Sequence, residues 1–192
     1  MVYENKIFVF DDIISLEEQN KIKNILLSDN FNWYFAADIT SSEVVKQNQR
    51  PGFKHSFLLN KKINSDHYNL ILPIVNESCK KINFKFEKII RAKSFLQLPL
   101  NLNNNYNLDS PHIDTFEKHL VILYYVLDSD GDTVIFDNKY GQTNEQIKFE
   151  DLNEIKRITP KQGRVVVFDG HYFHSAYQPK SNIRCVINCN IV

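Results

Sequence analysis

The chain has no excess of charge of either sign. Its 23 lysines and arginines balance 23 aspartates and glutamates, for a formal net charge of zero. No basic stripe points to nucleic acid and no acidic tail to a basic partner, although a neutral total is compatible with a charged pocket. Cysteine is scarce. Cys79, Cys185 and Cys189 are an odd set without a paired framework, which argues against a disulfide scaffold. The Val-Ile-Asn between Cys185 and Cys189 reads as strand rather than zinc knuckle, so all three thiols are expected to be reduced and structural. No segment reaches the roughly 18 apolar residues that span a membrane. The start, MVYENKIFVF, lacks the basic lead and long apolar run of a signal peptide, so the cytoplasm is the default expectation. Methionine occurs once, against 14 phenylalanines and 9 tyrosines. Aromatic and β-branched side chains must therefore fill the core.

What is present suits one domain. A length of 192 residues with 43% hydrophobic residues is enough for one sizeable core and short for two. Residues 1–85 read as helical support with a lid region. KIFVFDDI (6–13) is a short strand, and Ser15 with Glu18 forms a capping box. Leu16, Ile22, Ile25 and Leu26 follow at helical spacing, which predicts a helix over about 16–28. NWYFAADI (32–39) is a strand candidate, and the polar, Pro-Gly-bearing stretch 40–54 is a loop and candidate lid. A second helix is expected over about 66–82, with Leu70, Ile74 and Cys79 inward and Pro73 either kinking it or delaying its start. LNLNNNYNLDS (100–110) reads as an Asn-rich loop.

From residue 86 the pattern changes. FEKIIRAKSFLQL, HLVILYYVL, DTVIFD, GRVVVFD and RCVINCNIV are strand candidates divided by turn signals such as Asp130-Gly131-Asp132 and Asp169-Gly170. Helices followed by many short strands predict an α+β chain on a β-sandwich or barrel.

Three residues in this half suit metal binding. His112 and Asp114 are two apart, and i and i+2 share a face in extended chain. His174, in DGHYFH after the strand GRVVVFD, is the leading third ligand. Two histidines and a carboxylate form the open facial triad of non-haem Fe(II) oxygenases, whereas closed zinc sites more often recruit thiolates. Arg184 opens the final strand ten residues after His174 and can clamp a carboxylate with its guanidinium fork.

With these residues in order, the region 86–192 resembles the Fe(II)/2-oxoglutarate-dependent dioxygenases, in particular their prolyl 4-hydroxylase-like branch. LYYVLDSDGDTVIF (123–136) and GRVVVFDGHYFHSAYQP (163–179) carry the resemblance beyond the ligands. It implies a double-stranded β-helix (jelly-roll, cupin-like) core with the N-terminal helices packed on one sheet. It implies Fe(II) held by His112, Asp114 and His174. The distal carboxylate of 2-oxoglutarate would be held by Arg184 with Tyr125, or with Tyr124 if the strand parity is reversed. O2 is the oxidant, ascorbate the reductant, and hydroxylation of a C–H bond the outcome. A prolyl residue in a peptide is the substrate the resemblance points to, with free amino acids and other small molecules open. The pattern also departs from the branch. Val186 stands where some members carry a serine that assists the arginine, and Phe95 and Gln97 stand where a tyrosine is common.

Simpler readings stand beside these. His119 and His171 read as a packing histidine and a loop histidine, and His55 and His67 as exposed. Arg91 and Lys93 point either into the pocket or to solvent. The constellation as a whole could serve a metal-binding cupin-like module or hydrolase without 2-oxoglutarate, or a non-catalytic interaction domain. Oligomeric state is open.

Overall fold

The computed structural model describes residues 6–40, 50–59, 61–100, 108–141 and 149–192. The elements among them are β1 (Ile7–Phe10), α1 (Leu16–Leu26), β2 (Tyr34–Ala36), β3 (Gly52–Leu59), β4 (Lys62–Ile63), α2 (Leu72–Ile82), β5 (Ile89–Gln97), β6 (Leu120–Tyr125), β7 (Thr133–Lys139), β8 (Glu154–Ile158), β9 (Val165–Asp169), β10 (Tyr172–Ala176) and β11 (Arg184–Ile191). No helix among the described residues is long and apolar enough to cross a membrane.

The strands form two sheets. The large one runs β1-β9-β6-β11-β5-β3-β2, with β4 against β3, and the small one runs β10-β7-β8. Isolated bridges Leu108↔Tyr177 and His112↔His174 lay residues 108–112 along the free side of β10 as a fourth, irregular line of the small sheet. From β5 onward, successive segments alternate between the sheets except at β7 and β8, which pair with each other in the small sheet; this is the winding of a double-stranded β-helix. The apolar runs of β6, β9 and β11 are buried on both faces because helices cover the outer face of the large sheet. Ile22 and Leu26 of α1 and Ile74, Val75 and Cys79 of α2 share one core cluster with Ile122, Tyr124, Val167, Ile187 and Cys189.

The helices follow their local signals with two shifts. Ser15 Oγ accepts from the Glu18 amide at 3.2 Å, and the Glu18 carboxylate accepts from the Ser15 amide at 3.3 Å, closing the capping box. Ile22 and Leu26 are buried, but Leu16 is 65% exposed, one turn too early for the packed face. The second helix starts later than about residue 66. A 3-10 turn over Tyr68–Ile71 precedes α2, so Pro73 falls in the first α-turn, where its missing N–H costs nothing.

The first half supplies more sheet than expected. β1 pairs with β9, and β3, within what read partly as loop 40–54, pairs with β5. Residues 41–49, the body of the candidate lid, lie outside the described residues, as do 101–107 of the Asn-rich loop. The end of that loop is not a loop: Leu108, Asp109 and Ser110 are buried against the small sheet. His55 is also buried rather than exposed. Its ring lies 4.4 Å from that of Phe31 and 4.9 Å from that of Phe57, and its two nitrogens meet Asn32 O and Ser65 Oγ, each at 2.8 Å. The three cysteines are free and buried.

A close approach at Gly170 joins the turn after β9 to the strand β6. The Gly170 amide donates to His119 O at 2.9 Å, and a Cβ on Gly170 would sit 2.0 Å from His119 Nε2. The imidazole is buried, so it has little room to yield. Gly170→Ala is expected to destabilise the protein by about 1–3 kcal/mol through overpacking, read as a lower urea midpoint. An unchanged midpoint would refute the contact.

Candidate active site

The two sheets enclose a cavity of about 270 Å³. His112, Asp114 and His174 line it, and one ligand atom from each lies within 4.8 Å of the other two. The histidines come from the small sheet, where His112 N donates to His174 O and His174 N to His112 O, both at 3.0 Å. This double bridge sets the imidazole centroids 4.6 Å apart. His112 Nδ1 lies 3.0 Å from Ser110 O, and His174 Nδ1 lies 3.2 Å from Tyr172 O. A carbonyl can only accept, so each Nδ1 carries the proton and each Nε2 keeps its lone pair for a metal. Burial lowers both histidines, His174 to about 4, so both are neutral at pH 7.

Asp114 reaches across to the large sheet. Asn188 Nδ2 and Asn190 Nδ2 on β11 donate to its Oδ2, each at 2.9 Å, and Arg91 Nη1 on β5 donates to Oδ1 at 2.5 Å. Burial alone would raise its carboxyl, but the charge of Arg91 foremost, then those that His174 and His112 acquire in acid, pulls it well below the usual range. The carboxylate is therefore ionised and held in one pose before any ion arrives. Two neutral imidazole nitrogens and an oriented carboxylate, packed beside open cavity space, fit a divalent metal that needs further coordination positions.

The other end of the cavity closes on Arg184, which is 5% exposed. Its Nε donates to Gly131 O at 2.9 Å, Nη1 to Gln97 Oε1 at 2.8 Å and Nη2 to Thr133 Oγ1 at 2.8 Å. A guanidinium has five N–H groups, so two are left for a carboxylate. Arg184 sits on the sheet opposite His174, not on a neighbouring strand. This separation places the cation across the cavity from the candidate metal ligands. Strand parity also separates the tyrosines. Tyr125 faces the space between the sheets with Leu123, Ile135 and Val186, whereas Tyr124 joins the helix-side core. Tyr125 lies beneath Arg184, whose Cζ is 6.0 Å from the ring centroid, rather than on the cavity wall. Its buried hydroxyl has no well-formed hydrogen bond among the described residues, and burial pushes it up to about 12.

These features are reached by a fold that has known counterparts. No protein-family model matches the sequence, and no curated protein does. Solved structures do match. An oxidoreductase of the 2OG-Fe(II) oxygenase family from Burkholderia pseudomallei aligns with a TM-score of 0.67 and 12% identity, over 96% of this chain and 84% of that one. The fold is that of the 2-oxoglutarate–iron oxygenases. A viral collagen prolyl hydroxylase from Paramecium bursaria Chlorella virus-1, in complex with 2OG, aligns at a TM-score of 0.59 and 13% identity over 97% of this chain and 96% of that one. The non-heme alpha ketoglutarate dependent carbocyclase SnoK from nogalamycin biosynthesis aligns at 0.65 and 10% over 98% and 79%.

On this oxygenase fold, several residues around the site escaped the motif reading. Arg91, Asn188 and Asn190 hold Asp114, and Gln97 links Arg184 to Asp109, whose Oδ2 accepts from Gln97 Nε2 at 2.8 Å. The available signal was period 2. On β5, Arg91, Lys93, Phe95 and Gln97 all line the cavity, while Ala92 and Ser94 between them face away and are buried. Val186 lines the cavity without adding a polar group. His119 and His171 lie outside the ligand cluster: His119 Nδ1 meets Glu117 O at 2.7 Å, and His171 lies at the surface near Phe116.

Asp109 deserves a test of its own because it is a carboxylate near the same arginine. It is fully buried, with Arg50 Nε 3.5 Å from its Oδ1, and burial raises it to about 6 against the pull of Arg184, Arg50 and Gln97. Between its unfolded value near 3.8 and about 6, the folded protein binds the extra proton. Folding stability from this group therefore rises as pH falls through that window. Asp109→Asn is expected to remove that rise, on the order of 2 kcal/mol between pH 7 and pH 4, measured as the difference between variant and parent in denaturant midpoints. Parallel profiles for the two proteins would show that Asp109 does not titrate there.

Proposed function

We propose that the chain is a single-domain Fe(II)- and 2-oxoglutarate-dependent oxygenase. His112, Asp114 and His174 bind the iron, and Arg184, positioned over Tyr125, binds the distal carboxylate of 2-oxoglutarate. One observation carries the reading: three metal-type donor atoms within 4.8 Å share a cavity with a buried arginine that has N–H groups left over. Bound iron would supply the coupling of 2-oxoglutarate decarboxylation, giving succinate and CO2, to oxygenation of a C–H bond by O2. The chain's own residues position and shield. The Ser110 and Tyr172 carbonyls aim the imidazoles, Arg91 and the two asparagines aim the carboxylate, and Gln97 and Thr133 aim the guanidinium. Ascorbate serves as the reductant that keeps iron divalent.

Hydroxylation is the reaction we assign, on a prolyl residue of a peptide or on a small molecule. Purified protein supplied with Fe(II), ascorbate and 2-oxoglutarate should bind one metal and form succinate slowly even without substrate. Absence of both metal and 2-oxoglutarate binding would sink the assignment. Metal binding with no 2-oxoglutarate binding would favour a hydrolase or a cupin-like binding module instead.

A further inference from the structure

The cavity has a cationic wall that neither iron nor 2-oxoglutarate accounts for. Four cationic side chains line it, Lys54, Arg91, Lys93 and Arg184, against three carboxylates, Asp38, Asp109 and Asp114. Each carboxylate is already engaged. Asp38 accepts from the backbone amides of Thr40 and Arg50, Asp109 faces Gln97 and Arg50, and Asp114 is held by Arg91 and two asparagines. A divalent metal and a dicarboxylate co-substrate cancel each other's charge, so loading the site leaves the surplus in place.

The surplus is one positive charge, and the two lysines, Lys93 and Lys54, are the cations that it leaves without a paired carboxylate among the described residues. Lys93 lies on the inner face of β5, half-buried, opposite Ser56 of β3 and Asn188 of β11. Lys54 lies opposite Phe95 and is exposed at the rim. Neither has a hydrogen bond or ion pair among the described residues. Lys93 is pushed down to about 8, because burial strips water from its ammonium and Arg91 and Lys54 repel it by more than the carboxylate of Asp114, itself taken by Arg91, attracts it. A half-buried ammonium with no directly paired carboxylate among the described residues is costly, and a ligand oxyanion would supply the missing charge. The same side of the cavity carries Ile39 and Phe95 as apolar surface. It lies over β5 and β3, toward the β2 edge and off the line from the metal ligands to Arg184.

We propose that this wall is the site of the oxidised substrate and that the substrate is a small molecule or side chain bearing an oxyanion, a carboxylate or a phosphate, paired with Lys93 and Lys54. The inference rests on the oxygenase reading and narrows it, since a neutral prolyl peptide leaves Lys93 unpaired. The cavity volume of about 270 Å³ is small for a ligand site, which also favours a compact substrate.

The test uses the full chain loaded with Mn(II) in place of iron and saturated with 2-oxoglutarate, so that binding is read without turnover. Saturation-transfer NMR and calorimetry compare the α-amide of N-acetyl-glutamate with N-acetyl-glutaminamide, N-acetyl-O-phosphoserinamide with N-acetyl-serinamide, and N-acetyl-proline with its amide, so that each neutral counterpart carries no oxyanion. The expected result is at least tenfold tighter binding of one class of anion than of its neutral counterpart, with the carboxylate and phosphate pairs showing which. Lys93→Met should erase that preference and change 2-oxoglutarate affinity less than twofold. Equal binding of acids and neutral counterparts overturns the proposal. A Lys93→Met loss of 2-oxoglutarate affinity as large as that of Arg184→Ala also overturns it, because Lys93 would then serve the co-substrate. If the parent protein binds Mn(II) but no 2-oxoglutarate, the oxygenase reading itself fails and takes this inference with it.

Discussion

Arg184→Ala should weaken 2-oxoglutarate binding by roughly 30-fold to several thousandfold and leave metal content unchanged. The range follows from about 2–5 kcal/mol for removing one partner of a buried charge pair, at about 1.4 kcal/mol per tenfold change. The side chain is 5% exposed, so a bound carboxylate there would be screened little by water. Three of its N–H groups are spent on Gly131, Gln97 and Thr133, which fixes the plane in which the remaining two point. Arg184→Lys keeps the charge but loses the fork, and an intermediate affinity is expected. Gly131→Ala offers a second route to the same end. A Cβ at residue 131 would sit 2.9 Å from Arg184 Cδ and 2.8 Å from Tyr177 O, displacing the guanidinium without removing it. Calorimetry with 2-oxoglutarate, alongside metal analysis and a denaturation midpoint for each variant, separates lost binding from lost folding. Undiminished affinity in folded Arg184→Ala would remove the arginine from the site and, with it, the main reason to prefer an oxygenase over a hydrolase.

The candidate metal triad and Arg184, which the structure brings to one cavity, were legible in the sequence because each stands next to a strong local signal. His112 and Asp114 carry the i, i+2 spacing, His174 follows an apolar strand and an Asp-Gly turn, and Arg184 opens a run of β-formers. What the sequence concealed was set by partners remote in the chain. The residues YFHSA were not among the strand candidates because only pairing with β7 makes β10 a strand. EIKRI, exposed along most of β8, carries charges that suit an edge strand and weaken its apolar signature. Pro51-Gly52 looked like the centre of a loop but marks the start of β3, whose alternation is blurred by Lys54 and His55. The direction of Arg91 and Lys93 was undecidable for a related reason. β5 is packed on both faces, so its sequence does not distinguish inward from outward until the register with β11 places Arg91 opposite Asn190 and Lys93 opposite Asn188. The local rules fixed which residues could do chemistry, and the sheet register fixed which of them meet.

Asp114→Ala and His174→Ala should both abolish metal binding, yet they should differ in their effect on the metal-free fold. The Asp114 side chain is 1% exposed and neutralises Arg91, which is 22% exposed. It also accepts from Asn188 and Asn190. Removing it leaves one largely buried cation and two amides facing an empty carboxylate site. Breaking such a pair costs about 3–5 kcal/mol when both partners are fully buried, and the partial exposure of Arg91 reduces this to about 2–3 kcal/mol. Removing His174 takes away a neutral ring whose polar contact is one Nδ1–H bond to Tyr172 O. Its cost is mainly the cavity left beside Phe168, whose ring centroid is 5.2 Å away. Adding Arg91→Met to Asp114→Ala removes the orphaned cation and should recover much of the lost stability, while Arg91→Met added to His174→Ala should not. Urea midpoints for the four variants in the presence of a chelator decide the matter. If the double variant is no more stable than Asp114→Ala alone, Arg91 is not the group that Asp114 neutralises, and the carboxylate must be held in its metal-ready pose by the asparagines of β11 alone.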